Sequence, residues 1–112
     1  MIPSRPSIHL TVRDVEAILC ALPLVSYYES GSALEDQLNY ALMNTAIEKL
    51  TSHNPALVQQ EYRIIYIAAA IAVKPEIYLP GVDLDPEWKA DLKRHFFSLN
   101  RIHEFTKDQV LL

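Results

Sequence analysis

Residues 64–73 read Ile64-Ile65-Tyr66-Ile67-Ala68-Ala69-Ala70-Ile71-Ala72-Val73, an uninterrupted apolar run with no charged side chain. A run apolar on every side belongs to an element enclosed on every side, whether helix or buried strand. Three consecutive alanines decide for the helix, because alanine loses no side-chain entropy there and has little affinity for a strand. A bilayer crossing needs about 20 such residues, so this run fits a protein core and not a membrane. The reading is therefore an all-α chain with this segment as its central helix.

Upstream, Gln59, Gln60, Glu61 and Arg63 make the first half of the same helix amphipathic, and Asn54-Pro55 supplies a cap followed by a proline at the first helical position. Helix three is thus expected from Asn54-Pro55 to about Val73, where Lys74-Pro75 closes it. Helix two is expected from the Ser32/Glu35 capping box to about Thr51, with Leu34, Leu38, Ala41, Leu42, Ala46 and Leu50 facing the core and Asp36, Gln37, Asn44 and Glu48 opposed. Helix one begins at Val12 on a Thr11/Asp14 capping box. Its stripe is Val12, Val15, Ile18, Leu19 and Leu22, and it ends before Pro23. Leu24 to Ser30 reads as the first long connection.

Downstream, Pro80-Gly81 suits the centre of a type II turn, and Asp85-Pro86 repeats the cap-plus-proline start. Helix four then carries Trp88, Leu92, Phe96, Leu99 and Ile102 as one stripe to Glu104 or beyond. Four helices with short connections predict a four-helix antiparallel (up-down) bundle with helix three central; an orthogonal packing of the same helices is the alternative. The chain shows no repeat and no glycine- or serine-rich linker, so residues 1–112 read as a single helical domain. Residues 1–10 form an extended N-terminal arm and residues 107–112 a C-terminal tail. Met1 to Leu10 lacks the apolar core of a signal peptide.

Composition narrows the function classes. Ten Lys plus Arg against fourteen Asp plus Glu give a net charge of −4, the wrong sign for general phosphate attraction. One cysteine, Cys20, permits no intramolecular disulfide and no thiolate zinc cage, which fits a cytoplasmic protein. No nucleophile elbow, P-loop, His-Glu-x-x-His or EF-hand loop is present, and the ferritin-type Glu-x-x-His is absent around His53, His95 and His103. His9 completes the histidines. Asp91 and His95 lie one helical turn apart, the spacing of an ordinary surface pair as much as of an acid and base. No catalytic, cofactor or metal residue is assigned, and no cofactor is implied.

What remains is apolar surface off the core stripes. Phe96 and Phe97 are neighbours, so one core cannot take both, and Phe97 and Phe105 fall off the helix four stripe. Arg94 and Arg101 lie near them, Tyr27 and Tyr28 add aromatic area in a connection, and the chain ends in Val110-Leu111-Leu112. Large rigid rings beside arginines have the make-up of interface anchors. The reading is a non-catalytic helical protein–protein interaction or assembly module that forms a homo-oligomer, a homodimer first, or that docks on another protein. Its interface residues are Phe97, Phe105, Arg94, Arg101, Tyr27 and Tyr28. The alternative of another class is a bundle that holds a small apolar ligand beside helix three, with hydroxyls from Tyr62, Tyr66 and Tyr78. A nucleic-acid regulator, using Lys89, Lys93, Arg94, Arg101 and Lys107, comes after both, since Asp91 and Glu104 interrupt that face.

Overall fold

The computed structural model describes residues 10–52 and 56–111, and every element among them is helical. Six α-helices follow one another: α1 Val12–Ala21, α2 Ala33–Thr51, α3 Gln59–Val73, α4 Pro75–Tyr78, α5 Pro86–Arg94 and α6 Phe96–Leu111, with a 3-10 helix over Leu22–Tyr27. The arm residues 1–9, the Asn54-Pro55 start and two of the histidines, His9 and His53, lie outside the described residues. None of the described helices is long and apolar enough to cross a membrane.

The all-round apolar run is the centre of the molecule. Ile64, Ile65, Ala68, Ala69, Ile71 and Ala72 of α3 all join the main hydrophobic cluster. α3 packs most extensively on α6 and also meets the 3-10 helix, α2, α1 and α4. Alanines along this helix let its neighbours approach closely, at the expense of making the site intolerant of larger side chains.

The start of α3 differs from expectation. Ala56, Leu57 and Val58 are not helical, and Val58 is the extended cap residue. Valine has no oxygen to offer the orphan N–H groups, so Glu61 provides half a capping box by accepting from the Val58 N–H at 2.9 Å. Lys49 ties this entry to α2, donating to Ala56 O at 3.2 Å and to Glu61 Oε1 at 2.6 Å. Glu61, expected on the polar half of the helix, is therefore buried, and its Oε2 has no hydrogen-bond partner among the described residues.

α1 begins on the full capping box the sequence implies: Thr11 Oγ1 accepts from the Asp14 N–H at 3.1 Å, and Asp14 Oδ2 accepts from the Thr11 N–H at 3.0 Å. Its buried face is turned toward Asp14, Ala17, Ile18 and Ala21, while Val12 points to solvent. After Ala21 the chain does not enter a loop. Pro23 has no N–H for a continuing α-helix but fits the first turn of a 3-10 helix, and Leu22, Leu24 and Val25 are buried by it.

α2 shows the largest departure. Its buried residues are Asn39, Met43, Ala46 and Leu50, whereas Leu34 is 78% and Leu38 54% exposed. The helix is apolar on two sides, and the neighbours take the side centred on Met43. Its cap is half of the expected box: Ser32 Oγ accepts from the Glu35 N–H, but the Glu35 carboxylate pairs with Arg63 at 2.8 Å. Ser30 donates to Asp36 Oδ1 through both its N–H and its hydroxyl, and these bonds hold the partly exposed Asp36 carboxyl below its ordinary pKa.

The expected helix four is two helices. His95, with ψ near 8°, interrupts the run between α5 and α6, although its N–H still reaches Asp91 O at 3.1 Å. Phe96 leaves the core stripe as a result and is 50% exposed. Residues 107–111 continue α6 instead of forming a separate tail. Trp88 anchors α5 by donating from Nε1 to Cys20 O of α1 at 2.8 Å.

Pro80-Gly81 occupies the centre of a turn closed by the Val82 N–H on Leu79 O at 3.2 Å, with Gly81 at φ +79°, as a type II turn requires. A Cβ at Gly81 meets no atom within 4 Å, so only backbone strain opposes a side chain there. Gly81→Ala should cost about 1 kcal/mol, read as a shift of the urea midpoint at unchanged slope.

Candidate interaction surface

The outward face of α6 follows from which side of it is buried. Ser98, Leu99, Ile102 and Thr106 point into the molecule, and the Thr106 hydroxyl is satisfied by donating to Ile102 O at 2.7 Å. The side opposite carries Phe97, which is 83% exposed, the highest value among the exposed large hydrophobic residues. Phe96 lies beside it. Among the described residues the ring pairs are Tyr27–Trp88 and Tyr66–His103, and neither phenylalanine takes part in one.

The other residues singled out by sequence have internal engagements. Phe105 is half-buried at the edge of α6. Arg94 pairs with Asp91 one turn back at 2.8 Å, an exposed pair worth at most about 1 kcal/mol. Arg101 crosses to α1 and pairs with the buried Asp14 carboxylate. Burial pushes Asp14 up, but the Arg101 hydrogen bond and those from Thr11 outweigh it and leave the carboxyl below its ordinary pKa. Tyr27 is half exposed with its ring 5.9 Å from that of Trp88, and Tyr28 packs partly buried against the core. Phe97 is thus brought into solvent with Phe96, while Tyr27 and Tyr28 are tied to Trp88 and the core.

A second pair of inward carboxylate and cation repeats the Asp14–Arg101 plan at α3. Burial again pushes Glu61 up, and the Lys49 bond, the Val58 N–H and the nearby Thr45 bring it below its ordinary value. Both carboxylates sit at the third helical position, where the helix dipole favours an anion. The sequence signal for this pattern was a Glu or Asp three residues beyond a cap, and at Val58 the cap is not a polar residue.

Among the described residues no group of three or more His, Cys, Asp or Glu could hold a metal ion. Asp91 turns to Arg94 and not to His95. His103 stacks on Tyr66 with ring centres 5.0 Å apart and planes 14° apart; burial, with Lys107 and Lys74, lowers its pKa against the pull of Glu104. Burial and the Asp91 charge push the Cys20 thiol up, so the thiolate a nucleophile needs is disfavoured.

Two apolar features escaped the sequence reading. Leu34, Leu38 and Ala41 form an outward stripe on α2, one helical turn apart. A groove of about 480 Å³ lies at the C-terminal end of α3, where α4, the following loop and α5 meet, and Phe96 reaches its edge. None of Tyr62, Tyr66 and Tyr78 lines it. Searches against protein-family models, curated proteins and solved structures found no match to the chain.

Proposed function

We propose that this chain is a non-catalytic assembly module that pairs with a second copy of itself through the outer face of α6, centred on Phe97. One observation carries the reading: a phenylalanine on the well-formed helix α6 stands 83% exposed beside a second half-exposed phenylalanine. Leaving the Phe97 ring in water forgoes roughly 1.5–3 kcal/mol that a partner would bury, and the half-exposed Phe96 about half as much. Arg94 and Arg101 flank this face with side chains 71% and 48% exposed, so each retains donors for a partner even while engaged with Asp91 and Asp14. Phe105, half-buried on the same helix, belongs to the rim in this reading, while Tyr27 and Tyr28, engaged with Trp88 and the core, lie outside it. The exposed stripe on α2 is a secondary surface for higher assembly or for another protein.

The same reading keeps the four-helix up-down plan for α1, α2, α3 and α6 as one domain, supported by the short connection from Ser52 to Val58 between α2 and α3. It places the protein in the cytoplasm, where a lone thiol such as Cys20 stays reduced. In this reading nucleic acid is not the partner, because the chain carries a net charge of −4 and Asp91 and Glu104 interrupt the basic α5–α6 face.

Phe97→Ser tests the proposal with little risk to folding, since the side chain touches almost nothing in the single chain. The expected result is an unchanged helical circular dichroism spectrum, an unfolding midpoint that no longer rises with protein concentration, and a particle reduced to one chain mass. A variant that keeps the parent's oligomeric mass rules out this face as the interface.

A further inference from the structure

We propose that the groove at the C-terminal end of α3 binds an aliphatic carboxylate, independently of any pairing through Phe97. Its volume of about 480 Å³ falls within the range of small-molecule sites. The wall is aliphatic: Ala72 and Val73 from α3, Leu79, Val82 and Leu84 from the connecting loop, and Leu92 from α5, with the Phe96 ring at one edge. No hydroxyl or amide side chain lines it, and the charged groups are Lys89, Lys93 and Glu76. A ligand matched to such a surface has a long apolar body that needs no hydrogen bond along its length and one anionic end.

The cations suit that end. Lys93 has no acidic partner within 4 Å among the described residues, and Lys89 is held only loosely, 3.7 Å from the almost fully exposed Asp83. Both can lay their methylene stems along the apolar wall while keeping the ammonium at the mouth. Glu76 offsets one of the two charges and so sets a limit of one anionic group on the ligand. The wall is formed in advance, because Leu79 and Leu84 are buried anchors and the Pro80-Gly81 turn between them is closed by its own hydrogen bond.

The test is a calorimetric titration of the whole chain with the eight-, ten- and twelve-carbon straight-chain carboxylates and the matching alcohols, each below its micelle concentration. Methyl shifts of Val73, Val82 and Leu92, followed by nuclear magnetic resonance, locate the site. Each added methylene should tighten binding about fourfold until the groove is full. The carboxylate should exceed its alcohol by about threefold, a margin that Lys93→Gln removes. Val82→Trp, on an exposed loop, should fill the mouth and abolish binding with the helical spectrum unchanged, and Phe97→Ser should leave binding as it was. No uptake, equal affinity for acid and alcohol, or shifts at other methyls overturns the proposal. So does a Val82→Trp variant that changes particle mass but not ligand binding, which would assign the groove to a second copy.

Discussion

Arg101→Leu should unfold about 10 °C below the parent chain, the equivalent of roughly 2–3 kcal/mol for a domain of this size. The substitution strands the Asp14 carboxylate, which is buried under α6 and accepts only from Thr11 once the guanidinium is gone. The value lies below the usual loss for breaking a buried pair because Arg101 is itself half exposed and the Thr11 bond remains.

The dependence on pH separates this cause from lost packing. Asp14 has its folded pKa below the ordinary value, so its contribution is fully present above pH about 4 and is lost as pH falls through the folded pKa. In Arg101→Leu that contribution is missing at neutral pH. The gap between parent and variant should therefore be widest near pH 7 and narrower at pH 3, since protonating the carboxyl relieves the stranded charge of the variant and, as pH falls through the lowered folded pKa, removes the ion pair of the parent. Urea unfolding of the two chains at both pH values measures it, and a gap that does not change with pH would mean the arginine acts through its stem and not its charge.

The second large effect is a contrast within α2. Leu50→Ala should cost about 3 kcal/mol, since Leu50 is buried in the main cluster and its removal leaves a cavity. Leu38→Ala, on the outward side of the same helix, should cost less than about 0.5 kcal/mol. Equal losses at the two positions would mean that α2 is turned as the Leu34–Leu38–Leu42 spacing suggests and not as the structure has it. Urea midpoints of the two variants decide it.

That contrast also marks where a sequence stops being readable. The α3 run was legible because a segment apolar all round has no face to choose, so its burial needs no knowledge of neighbours. α2 has leucines and a methionine on two sides, and the choice between Leu34/Leu38 and Met43/Leu50 depends on which side α3 and the 3-10 helix approach. Asn39 is buried by that choice although its Oδ1 finds no partner among the described residues. Local chemistry was readable where it closes within a few residues, as in the Thr11/Asp14 box and the Pro80-Gly81 turn. The long-range ion pairs Asp14–Arg101 and Glu61–Lys49 and the interruption at His95 were not, since neither leaves a proline, glycine or fixed spacing behind.

The candidate surface follows the same division. Two adjacent phenylalanines cannot share one core, which made surplus aromatic area near Phe97 visible from the sequence. The groove was invisible because its walls come from α3, the connecting loop and α5, and because Phe96 reaches it only once the helix is interrupted at His95.

Pairing of two copies through the α6 face is read from the mass of the unmodified chain in solution. Light scattering on a sizing column at two concentrations about tenfold apart measures that mass while shifting any weak equilibrium by mass action. Pairing gives a particle of twice the 12.8 kDa chain mass at the higher concentration. A particle of one chain mass at both concentrations would contradict it.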